Sequence, residues 1–267
     1  MLAQQRRSRI REVVRQNGAA RVSDLVAELG VSDMTIRRDL DALSRRGLLD
    51  KVHGGATTPS LGSTDEPGFQ AKSLREQAEK QAIARAAAEL VRPGQAIGLS
   101  AGTTTWTLAL LLRDVPGLTV VTNSLPVAEV LHDPERPDQT VVLTGGVRTP
   151  SDALVGPVAV GSLSSVNLDT VFLGTHGMDV RSGFTTPNFL EAETNRALVQ
   201  AARRLVVVAD HTKWGVVGIA TVAPLDQADV IVCDDGLPRD ARHQLCEHVD
   251  EVVLARSALS RPEVPTA

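Results

Sequence analysis

Eight short apolar runs punctuate the chain from Gln95 onward: QAIGLS, LTVVTN, QTVVLT, DTVFLG, RLVVVAD, GIATV, DVIVCD and EVVLA. Each has the length of one strand, and continuous runs of this kind suit parallel strands buried on both faces. Helical stretches stand between them, and one precedes them: the alanine-rich EQAEKQAIARAAAEL, Glu76 to Leu90, which RPG at Arg92–Gly94 stops. Strand, helix and strand in succession give a Rossmann-like α/β sheet. Aromatic residues make up only 2% of the chain and tyrosine is absent, so its cores must be built from Val, Leu, Ile and Ala. The same scarcity removes the stacking platforms on which single-stranded nucleic acids are bound.

A length of 267 residues exceeds the usual single domain, and 42% apolar with 22% charged residues is ordinary globular composition. No run of about 18 apolar residues and no cleavable leader pattern is present, so a cytoplasmic chain that makes no membrane contact is expected. Cys233 and Cys246 do not make a disulfide framework and read as packing residues in a reduced compartment. HQLCEH sets His243, Cys246 and His248 close enough to raise the question of a metal. His243 and Cys246 share a helix face, His248 does not, and no second ligand pair occurs, so neither metal nor cofactor is expected.

Charge divides the chain. Up to Thr57 there are 11 Lys+Arg against 7 Asp+Glu; beyond it there are 17 against 25. A basic arm on an acidic body points to nucleic acid as a partner of the arm. The Pro-, Gly-, Ser- and Thr-rich TTPSLGSTDEPG, Thr57 to Gly68, reads as a linker. The expected organisation is an arm over 1–57, a linker over 58–75, an α/β body over 76–256 and a tail over 257–267.

Three short helices can be read in the arm. Ile10, Val13 and Val14 mark the first, which Asn17-Gly18 ends. A second begins near Ser23, aligns Val22, Leu25, Val26 and Leu29, and breaks at Gly30. Ser32 caps a third, with Val31 stapled onto Ile36. Ile36, Leu40 and Leu43 form its buried stripe, which leaves Met34, Arg38 and Arg45 on the opposite side, flanked by Thr35 and Arg37. Such a helix, after a short Gly-containing turn, has the geometry that enters a major groove. Arg37 or Arg38 can reach guanine, Met34 or Thr35 a thymine methyl, and Arg45, Arg46 and Lys51 the phosphates. The plainer alternative is a solvated basic face with Arg37 paired to Asp41. GLLDKVHGGA then reads as a β-wing with His53 on its surface.

VSDMTIRRDLDALSRRGLL followed by KVHGGA resembles the N-terminal winged helix-turn-helix of the DeoR family of bacterial transcriptional regulators. The resemblance implies binding to double-stranded operator DNA, with the TIRRDL helix as reader and Ser32 at its start.

In a Rossmann-like sheet ligands sit beyond the carboxyl ends of the strands. After AIGLS comes AGTTTWTLALLL, so Gly102, Thr103, Thr104 and Thr105 open a helix whose N–H groups and hydroxyls can cradle a phosphate. The alternative is that the threonines merely cap the helix. No Gly-Lys-Ser/Thr follows, so this is not a Walker loop and nucleotide hydrolysis is not supported. Other strand ends deliver Thr122 and Asn123, Gly145, Gly146 and Arg148, His176 and Gly177, and Asp210 with Lys213 as countercharge. SGFTTPNFLEAETN sets a Thr-Thr-Pro turn before a helix bearing Glu191 and Glu193, which are either first-turn residues or, for Glu191, a ligand. Trp106 and Trp214 read as packing residues.

The order GTTT, VVTNS, LTGG, DTVFLGTHGMD, GFTTPN and ADHTKWG is similar to the sensor domain of the same DeoR family. This implies a fold similar to ribose-5-phosphate isomerase, glucosamine-6-phosphate deaminase and CoA transferases, with a phosphorylated sugar as effector. Carried across, Gly102 to Thr105 hold phosphate, Lys213 faces the same site, and Thr185 and Thr186 neighbour it. One departure is LSAGTTT, where many members have Asp and this chain has Ser100. The expectation is a ligand-responsive repressor that forms a dimer or tetramer. Its rivals are an isomerase or deaminase using Glu191 or Asp210 as base with Lys213, and an arm that binds protein instead of DNA.

Overall fold

The structure is a computed structural model that describes residues 3–17, 19–44, 48–52, 54–57, 68–133 and 135–256. The chain divides into two compact units, 1–62 and 63–267.

The first unit runs α1 (Ala3–Asn17), β1 (Ala19–Arg21), α2 (Val22–Leu29), α3 (Asp33–Ser44), β2 (Asp50–Val52) and β3 (Gly55–Thr57). The stripes Ile10/Val13/Val14, Val22/Leu25 and Ile36/Leu40/Leu43 meet in one buried core with Leu49 and Ala56. Gly30 takes φ 64° and donates its N–H to Val26 O at 3.0 Å, closing α2 in the left-handed manner that glycine permits. α2 starts one residue before Ser23, which does not cap it. The Val22 N–H is satisfied instead by Gly54 O of the wing turn at 2.9 Å. The wing is three-stranded, in the order β1-β3-β2, all antiparallel. β1 has only three residues, too few to reveal a period in the sequence. At Gly55 any Cβ would lie 2.3 Å from Ala20 O, so β1 and β3 can pair only with glycine there.

Inside α3, Asp39 is buried and accepts from Arg6 Nε at 2.6 Å and Arg7 Nε at 2.7 Å. This clamp ties the basic helix to α1.

The second unit begins with α4 (Phe69–Ser73) and α5 (Gln77–Ala88), then β4 (Ala96–Leu99), α6 (Thr103–Leu112), β5 (Thr119–Thr122), α7 (Leu125–Leu131) and β6 (Thr140–Leu143). After β7 (Val147–Arg148), β8 (Leu154–Val155) and α8 (Pro157–Leu163) come β9 (Thr170–Gly174), β10 (Gly177–Asp179), β11 (Gly183–Thr186) and α9 (Phe189–Gln200). It closes with β12 (Leu205–Val208), β13 (Ala220–Ala223), β14 (Val230–Asp234), α10 (Arg239–Cys246) and β15 (Glu251–Ala255). α4 lies in the stretch read as linker, yet the Phe69 N–H donates to Pro150 O at 3.2 Å and the Phe69 ring meets Trp106 edge-on at 5.9 Å.

A seven-stranded sheet in the order β15-β14-β12-β9-β4-β5-β6 forms the centre, every pair parallel. Its side chains alternate between two cores. Val171, Leu173, Val207 and Ile231 face one side; Phe172, Val206, Val208, Val230 and Val232 face the other. Both faces being dry is what makes the central runs continuously apolar, whereas edge strand β6 leaves Val142 and Leu143 exposed. Seven of the eight runs join this sheet. GIATV does not: its strand β13 pairs antiparallel with β11, which pairs with β10, in a separate small sheet. Among the described residues no helix is long and apolar enough to cross a membrane.

Candidate functional site

β4 and β9 are neighbours, but the chain leaves β4 toward β5 and β6 and leaves β9 toward β12, β14 and β15. This reversal opens a crevice at the carboxyl ends of β4 and β9. Strands about 4.8 Å apart bring the segments after β4, β9 and β12 within side-chain reach of one another.

After β4, Ser100 Oγ accepts the Gly174 N–H of β9 at 2.9 Å. Ser100 thus ties the two strands together. Asn123 is buried; its Oδ1 accepts the Ala101 N–H at 2.8 Å and its Nδ2 donates to Leu154 O at 3.3 Å. It pins the loop that leads into α6.

The N-cap of α6 is Gly102, which has no side chain, and no side-chain bond caps the helix. None of the three threonines acts as a cap. The Thr105 hydroxyl donates back to Gly102 O at 3.0 Å, and the first intrahelical amide is that of Trp106, also to Gly102 O. The N–H groups of Thr103, Thr104 and Thr105 therefore have no acceptor within the helix. The hydroxyls of Thr103 and Thr104 have no partner among the described residues, although both residues are nearly buried. Donors left open at a helix N-terminus favour an anion.

Cations stand at the same edge of the sheet. Lys80 of α5 is buried, and its Nζ donates to Lys72 O and Arg75 O, both at 2.6 Å, which leaves one N–H for another acceptor. Burial, with Lys213 nearby, pushes the Lys80 ammonium down to about 8, against the attraction of Asp210. Burial works to raise the Asp210 carboxyl, but the Lys213 charge, the hydrogen bonds from Thr212 and the Lys80 charge together hold it below its ordinary value. Asp210 thus stays ionised under the charges of two lysines. Because Lys80 loses its proton near pH 8, anion affinity is expected to fall as pH rises past about 8; calorimetric titration on both sides of that value checks it.

A hydrogen-bonded line runs on from Lys80. Lys72 Nζ donates to Ser151 Oγ at 2.7 Å, the Ser151 N–H to Thr149 Oγ1 at 3.3 Å, and the Thr149 hydroxyl to Glu191 at 2.7 Å. The Thr186 hydroxyl donates to the other Glu191 oxygen at 3.2 Å. Thr186 and Glu191 are thereby joined to the lysine cluster.

Other expected ligands have structural work in the fold. The Thr185 hydroxyl accepts the Gly218 N–H at 2.9 Å and donates to Gly177 O at 3.3 Å. A Cβ at Gly177 would lie 2.1 Å from Val216 O, and one at Gly146 2.5 Å from Val155 O. Gly145, with φ 73°, belongs to the same turn as Gly146. Arg148 pairs with Asp152 at 2.7 Å. Among the described residues no His, Cys, Asp and Glu gather as a metal site, and Cys246 is exposed. Sequence reasoning missed Lys72 and Lys80. The signal for Lys80 was a charge in the stripe it shares with Ile83, Ala84 and Ala87, since a lysine on a buried helix face needs a partner.

On the arm, Ser32 Oγ meets the Thr35 hydroxyl at 2.9 Å at the start of α3. Met34 is 71% exposed, and Arg37 and Arg38 are exposed. Arg37 pairs with Asp33, one turn back, and not with Asp41 as the plainer reading had it. That pairing also raises its guanidinium further. Among the described residues Arg38 has no ion-pair partner. Arg45, Arg46, His53 and the Lys51 side chain lie outside the described residues.

Residues 6–61 match the DeoR-like helix-turn-helix domain and residues 75–235 the DeoR C terminal sensor domain. The chain belongs to the DeoR family. Its DeoR-type relatives include the HTH-type transcriptional regulator GlpR of Haloferax volcanii, 38% identical over 92% of this chain and 95% of that protein. The glycerol-3-phosphate regulon repressor of Escherichia coli K12 is 32% identical over 91% and 96%. The regulator GolR of Listeria innocua is 36% identical over 86% and 90%. Among solved structures, ribose 5 phosphate isomerase A from Neisseria gonorrhoeae matches with a TM-score of 0.37 and 18% identity over 51% of this chain and 52% of that one, a likeness too slight to build on.

Proposed function

We propose that this DeoR-family chain is a repressor of carbohydrate-metabolism genes whose grip on its operator is altered by a phosphorylated sugar. The observation that carries the effector half is the uncapped α6 N-terminus with Lys80, Lys213 and Asp210 at one edge of the sheet. Phosphate meets the amides of Thr103 to Thr105 and the two ammonium groups, while Asp210 accepts from sugar hydroxyls. An effector that binds the DNA-competent and DNA-incompetent forms unequally shifts their balance by that difference. The relatives named as repressors of a glycerol-3-phosphate regulon support this ligand class. A thermal-shift screen of phosphorylated sugars tests it, since a ligand selective for the folded state raises its stability. A panel that leaves the melting temperature unmoved overturns the reading.

The operator half rests on α3. Arg38, exposed and without an ion-pair partner among the described residues, reads a guanine, while Arg45, Arg46 and Lys51 meet phosphate. Arg38→Ala is expected to cost about 1 to 3 kcal/mol at one operator position. Binding to a set of single-base operator variants measures it, and equal weakening on every variant makes Arg38 a phosphate contact instead. Affinity that falls steeply with salt separates DNA binding from protein binding by the arm.

The protein acts in the cytoplasm as a homo-oligomer whose body sets the spacing of two arms on paired half-sites. Light scattering that finds only monomer at micromolar concentration excludes this. The enzymatic reading is disfavoured because Asp210, held ionised under the charges of two lysines, is a weak base, and Glu191 already accepts from two threonines. Turnover of any sugar phosphate in the screen would reinstate it.

A further inference from the structure

His211 follows Asp210 and opens the short turn His211–Lys213 beyond β12. Its backbone N–H donates to Asp234 Oδ1 at 2.7 Å, and its ring Nδ1 lies 2.7 Å from Asp234 Oδ2. Asp234 ends β14, is 1% exposed, and also accepts the Gly236 N–H at 3.0 Å. A Cβ at Gly236 would lie 2.7 Å from that carboxylate and 2.8 Å from His211 Nδ1, so the chain there makes room for the pair. A buried carboxylate is costly unless it is satisfied, and this one spends both oxygens on His211 and the turn beside it. The ring is only partly covered, with 33% of the side chain exposed, and Nε2 has no partner among the described residues. A carboxylate that grips one ring nitrogen fixes the direction in which the other is presented.

We propose that His211 is a ligand-contacting residue of the effector site, its Nε2–H donating to the bound anionic group, with Asp234 as the positioning residue behind it. The assignment rests on reading the carboxyl edge of the sheet as an anion site. The acidic charges that act on the imidazole come from Asp234 of β14, which touches it, from Asp210 at the end of β12 and from Glu76, the residue before α5. The Asp234 hydrogen bond foremost, and then the charges of Asp234, Asp210 and Glu76, hold the imidazole above its ordinary value although burial pulls it down. His211 therefore keeps its proton further into the neutral range than a free histidine, and the anion gains a third cation beside Lys80 and Lys213. Losing that proton weakens the site.

Sulfate is the probe, because it does not change its own charge across the histidine range. Full-length protein is titrated calorimetrically with sulfate between about pH 5.5 and about pH 7.5, and the part of the pH dependence that Lys80 contributes is read from the His211→Gln protein over the same range. Wild-type affinity is expected to fall about tenfold as the imidazole deprotonates, and His211→Gln to bind with the weaker affinity at every pH. In a parallel proton NMR titration of the wild type, saturating sulfate displaces the His211 titration upward by about one pH unit, as reciprocity requires. A His211→Gln protein that keeps the wild-type pH dependence overturns the proposal and leaves the anion site standing. Should sulfate bind neither protein, the site and the proposal fall together. If the variant does not fold, an NMR titration unmoved by sulfate decides against His211 on the wild type alone.

Discussion

Asp39→Ala is expected to abolish operator binding while the body still melts as before. Asp39 lies within α3, beside Arg38, and its carboxylate accepts from both Arg6 and Arg7 of α1. Arg6 is itself largely covered, with 12% of its side chain exposed. Removing the shared anion strands a half-buried guanidinium next to another and unties the reader helix from α1. Breaking a buried pair in this way costs about 3 to 5 kcal/mol. A unit this small holds about 3 to 5 kcal/mol in all, so the loss is comparable with its whole stability. Calorimetry should show the arm transition lost or sharply lowered and that of the body unchanged, and gel-shift assays should show no complex. Wild-type operator affinity in Asp39→Ala would show that α3 holds its place without the clamp.

Lys80→Met should weaken effector binding and lower the stability of the body while sparing the operator contact. The ammonium is buried, and burial already pushes it down to about 8, so methionine of similar length removes a desolvation cost; it also strips Lys72 O and Arg75 O of their donor and buried Asp210 of a countercharge. Melting temperature without ligand is expected to fall. The effector is expected to bind about tenfold to a hundredfold more weakly, the loss of one charge-assisted hydrogen bond of about 1.5 to 3 kcal/mol. Operator affinity without effector stays as in the wild type. The repressor then no longer responds at effector concentrations that switch the wild type, and titrating the effector against a preformed operator complex reads this directly. A response curve that overlays the wild type would remove Lys80 from the site. Lys213→Ala and Thr104→Ala should blunt the response in the same assay.

Both predictions turn on residues whose role does not follow from local pattern. The buried stripes of α1, α2 and α3, the turn at Gly30 and seven of the sheet strands are legible because each is a short-range periodicity that burial imposes on neighbours along the chain. The GTTT helix start is legible for the same reason: residues adjacent in sequence form it. What sequence alone could not decide is which distant groups share one place. Arg6 with Asp39, Lys80 with Asp210, Lys72 with Ser151 and His211 with Asp234 are each brought together by strand order and helix packing. Thr185, Gly177 and Asn123 have the residue types of ligands, yet the fold occupies their polar groups or the space about them. Local order follows from the chain's own alternation of apolar and polar residues. The site depends on long-range closure of the sheet, which decides where charge is buried and which donors stay open.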